Sequence, residues 1–422
     1  VESFAYQYDG YAPFYDDGPY RASDHDPVVV GLSTGLSGPV DLQLLSINDF
    51  HGRLEAPSAG VGGAAQLVGA VDQLRAANPR TAWISAGDNI GASTFISAID
   101  NDNPTIDALN AGGLAVSAVG NHEFDKGLAD LTGRVTDRAD FPLLGANVYR
   151  DGQRVLPAYS VQNLGGVQVG YIGVVTEQTA SLVSPDGIAG VEFRDPVAEA
   201  NLLAGQLSDG NPANGEADVL VLLAHEGAAT ENISSAAELA ADPVFGDFTR
   251  VSAEIDAIFS GHTHQPYAFQ VPVPGTDRTR PIVQAEDYGK RLGQVVLTYD
   301  PATRAVTAST AALLPVTGYP ADAEVAAIVA AAKAKAAELG KQPLGRITAD
   351  ITRAYTNGAE DRGRESVLGN FIADVQLDQT SAPGRGGAQI ALMNPGGLRA
   401  DLKFAGDGTI TYADAFAVQP FS

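Results

Sequence analysis

Between residues 41 and 317 the chain repeats one pattern. Short apolar runs of five or six residues, at 42–47, 81–86, 114–119, 219–224 and 255–259, are separated by longer Ala-rich stretches with helical spacing. Such short β-branched or Leu-rich runs read as strands. Alternation of such strands with helices predicts an α/β layered domain. A helix is predicted over residues 321–340, because it follows Pro320, stops at Gly340 and has Pro343 beyond. Its large apolar residues, Val325, Ile328, Val329 and Leu339, form a narrow stripe, as in a surface helix or a strut between two domains. The pattern divides the chain into a tail at 1–31, a Ser/Gly/Thr/Pro linker at 32–40, a first domain at 41–317, a connecting helix at 318–341 and a second domain at 342–422.

Composition narrows the chemistry. Of 422 residues, 26 are Lys or Arg and 51 are Asp or Glu, a net charge of −25. That charge argues against stable binding to nucleic acid, whose affinity comes mainly from cations placed on phosphates. There is no Cys, so thiolate metal sites, disulfides and cysteine nucleophiles are excluded. Any metal must sit on His, Asp, Asn or similar ligands. No apolar run approaches the roughly 18 residues of a membrane span. The chain opens on Val1 with no signal-peptide pattern, which reads as a cut or processing site. An acidic chain without thiols suits an oxidising or extracellular setting.

The histidines carry the strongest signal. Five of the six fall in clusters that directly follow the five apolar runs: Asn48-Asp49-Phe50-His51, Gly87-Asp88-Asn89, Gly120-Asn121-His122-Glu123-Phe124-Asp125, His225-Glu226-Gly227 and Ser260-Gly261-His262-Thr263-His264. In an open α/β sheet, sites form outside the carboxyl ends of strands, so the five clusters can converge. Taken singly, each is an ordinary turn or cap. Together they match what two divalent ions about 3.5–4 Å apart require: imidazoles and carboxylates from several strands, one of them bridging. Asp49 and Asp88 would cancel about two of roughly four positive charges, leaving an excess that attracts a phosphoryl group. His122 follows the ligand-type Asn121 and is free to face a substrate. Asp125 lies one helical turn away and could hold the His122 tautomer and raise its basicity.

These motifs resemble the full series of the calcineurin-like metallophosphoesterases and, more closely, of the 5′-nucleotidase family. The resemblance spans residues 41–422 and implies a four-layer αββα domain. It implies that Asp49, His51, Asp88 and His264 hold one metal and that Asp88, Asn121, His225 and His262 hold another. Zinc or manganese suits those ligands. His122 and Asp125 would be the catalytic dyad, with Asn121 also facing the substrate. In the second domain, Arg362-Gly363-Arg364 and Asn394-Pro395-Gly396-Gly397-Leu398-Arg399 resemble the family's incomplete-here α/β C-terminal domain. There Arg362, Arg364, Asn394, Gly396, Gly397 and Arg399 would grip phosphate and ribose. Phe421 matches the first of two aromatics that sandwich the base, and the second would lie past Ser422, so the chain reads as truncated. Ser23-Asp24-His25-Asp26-Pro27-Val28 resembles the last motif of the endonuclease/exonuclease/phosphatase superfamily. Its upstream partners are missing, so Asp24 and His25 are expected to be inert.

The expected function is hydrolysis of nucleoside 5′-phosphates by a two-metal enzyme that is secreted, periplasmic or on a bacterial cell surface. Alternatives are hydrolysis of 2′,3′-cyclic nucleotides, 3′-nucleotides or nucleotide sugars, and a more distant cleavage of sulfur–sulfur bonds. A non-catalytic binding module that keeps the fold is a further alternative, against which the intact His122 and Asp125 speak.

Overall fold

The computed structural model describes residue 36, residues 38–56 and residues 61–420. Asp24, His25 and Phe421 lie outside the described residues.

Two six-stranded sheets form the centre of the first domain. One runs in the order Ala305–Pro315, Arg291–Asp300, Val40–Ile47, Thr81–Ser85, Val116–Ala118, Leu143–Leu144. The other runs Pro266–Pro272, Thr279–Ala285, Ile255–Ser260, Val219–His225, Gln168–Val175, Tyr159–Asn163. In each sheet four neighbouring strands are parallel, and antiparallel pairings add two strands at one edge of the first sheet and one strand at each edge of the second.

The continuous apolar runs arise because both faces of these strands are covered. Leu42 and Leu44 point into a core shared by the two sheets, whereas Leu45 and Ile47 point into a core under helices. The strand Val219–His225 splits the same way, with Val221 and Leu223 between the sheets and Leu220 and Leu222 under helices. This two-residue period places one strand in two cores at once. Helices Ala64–Ala77 and Asn103–Ala111 cover the first sheet through Leu67, Val68, Val71, Ile106 and Leu109. Helices Pro196–Leu207 and Ala236–Ala241 cover the second through Leu203, Leu207 and Leu239. The layers are therefore αββα, as the sequence motifs imply.

The helix expected over 321–340 runs Ala323–Leu339, and Asp322 caps it by accepting the Val325 N–H at 2.8 Å. It packs on the first helical layer through Val325, Ile328, Val329 and Ala332. Leu339 departs from the expected stripe, since it is 41% exposed while Ala332 and Ala336 are buried. The contact is too close for large side chains: a Cβ on Gly69 would lie 1.8 Å from the Pro320 carbonyl oxygen.

Beyond this helix, strand Pro343–Arg346 pairs with Thr409–Thr411, and a hairpin joins Tyr355–Thr356 to Ala359–Glu360. Helix Val367–Thr380 packs over a small core of Leu368, Leu398, Leu402, Ile410 and Val418. Phe95 of the first domain meets the rings of Tyr412 and Phe416 at 6.1 and 5.1 Å between centroids.

Candidate metal centre

The five clusters leave the carboxyl ends of five parallel strands and meet. The strand Val40–Ile47 leads to Asp49 and His51, Thr81–Ser85 to Asp88, and Val116–Ala118 to Asn121 and His122. Val219–His225 ends on His225, and Ile255–Ser260 leads to His262 and His264. Ligand-type atoms gather in three overlapping groups, each within 4.8 Å: Asp49, His51 and His264; His51, Asp88 and His122; Asp88, His225 and His262. Asp49, His51, Asp88, His262 and His264 all have left-handed backbones, with φ between 47° and 70°. Such conformations cost roughly 1–3 kcal/mol each for non-glycine residues and collect where geometry is functional.

Hydrogen bonds fix which ring nitrogens face inward. His225 Nδ1 lies 2.8 Å from the Ala86 carbonyl oxygen and His51 Nδ1 lies 2.9 Å from that of Gly91. A carbonyl only accepts, so each Nδ1 carries the proton and Nε2 is the nitrogen that each ring has left for a cation at the centre. His225 Nε2 then sits 3.1 Å from Asp88 Oδ2 and 3.2 Å from Asn121 Oδ1. His51 Nε2 is 3.8 Å from Asp88 Oδ2 and 3.9 Å from Asp49 Oδ1, too far for hydrogen bonds. Ring nitrogens set against carboxylate oxygens at such spacings fit the edges of coordination polyhedra with metal–ligand bonds of about 2.0–2.2 Å. The donor set therefore fits divalent cations, and Asp88 belongs to two of the three groups.

Asp88 is held hard in place. Its Oδ1 accepts the His122 N–H at 2.8 Å, and a Cβ on Gly120 would lie 2.1 Å from that oxygen. Burial works against the Asp88 charge, yet neighbouring His225 and His51 hold its carboxyl well below the ordinary range. His122 Nδ1 meets Asp125 Oδ2 at 2.9 Å across the short turn His122–Phe124. Burial disfavours the charged ring of His122, but the Asp125 hydrogen bond and the Asp88 charge prevail and push its pKa up to about 9.

Three supporting residues escaped sequence reasoning. The buried Glu123 carboxylate accepts the N–H groups of Asp88 at 2.9 Å, Asn89 at 2.8 Å and Gly120 at 2.6 Å, tying two loops together. Burial and the Asp88 charge push its pKa up to about 7. Asn48 donates to Asp49 Oδ2 at 2.7 Å. Asp287 meets His264 Nδ1 at 3.1 Å from a sixth strand end, that of Thr279–Ala285. The sequence did hold a signal there: residues 281–285 are mostly apolar and lead into Glu286-Asp287-Tyr288-Gly289, the same grammar without a histidine.

Of the second-domain candidates, Arg362, Asn394 and Gly396 lie together. A Cβ on Gly396 would lie 3.7 Å from an Arg362 guanidinium nitrogen, and Asn394 Oδ1 accepts the Gly396 N–H at 3.0 Å. Gly397 closes that turn, Pro395–Gly397. Arg399 donates its backbone N–H to the Val418 carbonyl at 2.8 Å. Arg362 pairs with Glu360 at 2.8 Å, and Arg364 turns away to Thr356 Oγ1 at 3.2 Å.

Comparison with known proteins agrees with this geometry. Residues 42–266, more than half of the chain, match the calcineurin-like phosphoesterase family, and residues 343–422 match the 5′-nucleotidase C-terminal domain. The chain is 31% identical over 409 residues to endonuclease YhcR of Bacillus subtilis, covering 90% of this chain and 31% of that protein. It is 30% identical to a 5′-nucleotidase of Vibrio parahaemolyticus, covering 90% of this chain and 70% of that one. A 5′-nucleotidase precursor from Thermus thermophilus superposes with a TM-score of 0.64 at 27% identity, covering 90% of this chain and 74% of the other. The chain thus spans under a third of the Bacillus relative and more than two thirds of the Vibrio one. By motif, fold and likeness it belongs to the calcineurin-like phosphoesterases, a family of metal-dependent hydrolases, and continues into a 5′-nucleotidase C-terminal domain.

Proposed function

We propose that this chain is a two-metal phosphomonoesterase acting on nucleoside 5′-phosphates. The observation that carries the reading is Asp88, whose Oδ2 faces His51 on one side and His225 on the other. In this reading Asp49, His51, Asp88 and His264 hold one ion, and Asp88, Asn121, His225 and His262 hold the other. Zinc or manganese suits that mixture of imidazole and oxygen donors. Divalent ions there would supply the positive charge that polarises a phosphoryl group and makes water nucleophilic at neutral pH.

The side chains do the rest. Asp125 holds the Nδ1 proton of His122, so Nε2 of that ring is the atom that meets the substrate. A proton at Nε2 stabilises the ester oxygen as it leaves. Arg362, Arg364, Asn394, Gly396, Gly397, Arg399 and Phe421 are assigned to the nucleotide's remaining phosphate, ribose and base contacts. A 5′-nucleotidase C-terminal domain supports nucleotides over other phosphate esters. We place the enzyme outside the cytoplasm, at the cell surface or secreted, which its acidic, cysteine-free composition suits.

The test is inorganic phosphate release from a panel of 5′-, 3′- and 2′,3′-cyclic nucleotides, a nucleotide sugar and an aryl phosphate, with zinc or manganese added. The reading expects AMP to lead the nucleotides. Higher kcat/KM for a cyclic or 3′-nucleotide would overturn the substrate assignment.

A further inference from the structure

The loop after Thr279–Ala285 reaches the metal centre without bringing a ligand of its own. It is tied to the first cluster at three points. The Ala285 N–H donates to Asn48 Oδ1 at 2.8 Å, Asn48 Nδ2 donates to the Glu286 carbonyl at 2.5 Å, and the Tyr288 N–H donates to the Asp49 carbonyl at 2.8 Å. Glu286 and Tyr288 are held at φ 65° and 59°, a region that bulky residues avoid. What this strained loop presents is Asp287, which is 7% exposed and 3.1 Å from His264 Nδ1. Lys290 stands 2.5 Å from the other Asp287 oxygen and 3.0 Å from Glu286 Oε1, so the carboxylate is charge-balanced.

His264 needs such an anchor more than the other rings do. The side chains of His51 and His225 are 4% and 0% exposed, and both give Nδ1–H to main-chain carbonyls. The His264 side chain is 34% exposed, so packing alone does not fix its rotamer. With Nδ1–H committed to Asp287, Nε2 is the nitrogen left for a cation and stands 3.3 Å from Asp49 Oδ1. A carboxylate behind a ligating imidazole both orients the ring and raises its donor strength.

We infer that Asp287 is a positioning residue that holds His264 in the tautomer and orientation that set the affinity of one metal site. The inference rests on the proposed ligand role of His264. It is tested by binding of manganese or zinc ions to the full chain, measured by competition with a chromophoric chelator in the absence of substrate. Asp287→Ala is expected to weaken one of the two ions by about 10–100-fold and leave the other unchanged. Asp287→Asn keeps an oxygen that can accept from Nδ1 and should fall between the two. On a His264→Ala background, Asp287→Ala should add nothing, an outcome a merely structural residue would not give. Thermal midpoints measured alongside identify a variant that has lost its fold, in which case Asp287→Asn carries the comparison. If Asp287→Ala binds both ions as the parent does while His264→Ala does not, the inference is wrong. Loss of a full equivalent at saturating metal would make Asp287 a ligand and also overturn it. If His264→Ala binds both ions normally, the ligand reading itself fails and takes the inference with it.

Discussion

Asp88 is 2% exposed and sits among His51, His225 and His262, an arrangement a protein keeps only if protons or cations bind there. The neighbouring His122 is distinguished from the metal set by its proposed task, and one substitution separates the roles. His122→Asn should lower kcat for AMP by roughly 10²–10⁴ while metal content stays at the parent level. Loss of one metal equivalent by elemental analysis would make His122 a ligand instead. At this scale the sequence shows the histidines plainly, because six in 422 residues is few enough for their placement to carry information. It does not show Glu123, Asn48 and Asp287 as supports. Fifty-one acidic residues make Glu123 and Asp287 unremarkable to the eye, and both act on loops distant in sequence, Glu123 on Asp88 and Asp287 on His264.

Among the elements, close backbone approach and loop anchoring decide stability. The helix Ala64–Ala77 lets Pro320 pass over Gly69, so Gly69→Ala should destabilise the fold by about 1–3 kcal/mol through overpacking, seen as a lowered thermal midpoint. An unchanged midpoint would mean that the 318–322 segment can move aside freely. Around helix Ala236–Ala241, Asp242 accepts the N–H groups of Ala229, Thr230, Val244 and Phe245 at 2.9–3.2 Å. Burial opposes its charge, but these backbone hydrogen bonds prevail and bring its pKa down from 3.8 to about 2. A depressed carboxylate stabilises the fold above its ordinary pKa, and that contribution disappears as pH falls from 3.8 towards 2. Asp242→Ala should therefore cost about 1–3 kcal/mol in urea unfolding at pH 7, with the gap narrowing below pH 3.8. An equal gap at both pH values would refute the linkage. Strands such as Val219–His225 are legible from sequence because burial on both faces makes them continuously apolar. The order of the sheets is not, since pairings such as Val40–Ile47 with Arg291–Asp300 join residues about 250 apart.

Over the whole molecule, a charge of −25 and a carboxylate-lined centre mean that bound cations should matter to folding as well as to chemistry. Removing metal with a chelator is expected to lower the thermal midpoint, and restoring it at about 100 times its Kd should return roughly 2.7 kcal/mol. No change on chelation would mean that the site does not bind metal tightly in the folded state. The alternating runs show α/β layering, whereas the four-layer αββα form is legible only through the resemblance of the clusters to a known family, as the second domain is through short motifs around Arg362 and Asn394. That Arg362 stands beside Gly396 while Arg364 points to Thr356 was not legible, because short motifs fix no side-chain direction. The most direct test of the central claim is phosphate release from AMP by the metal-stripped chain as manganese or zinc is titrated in. The account predicts negligible rate without metal, a rate that reaches its plateau only near two equivalents, and loss of that plateau in Asp88→Asn. A full rate in chelator, or a plateau at one equivalent, would contradict it.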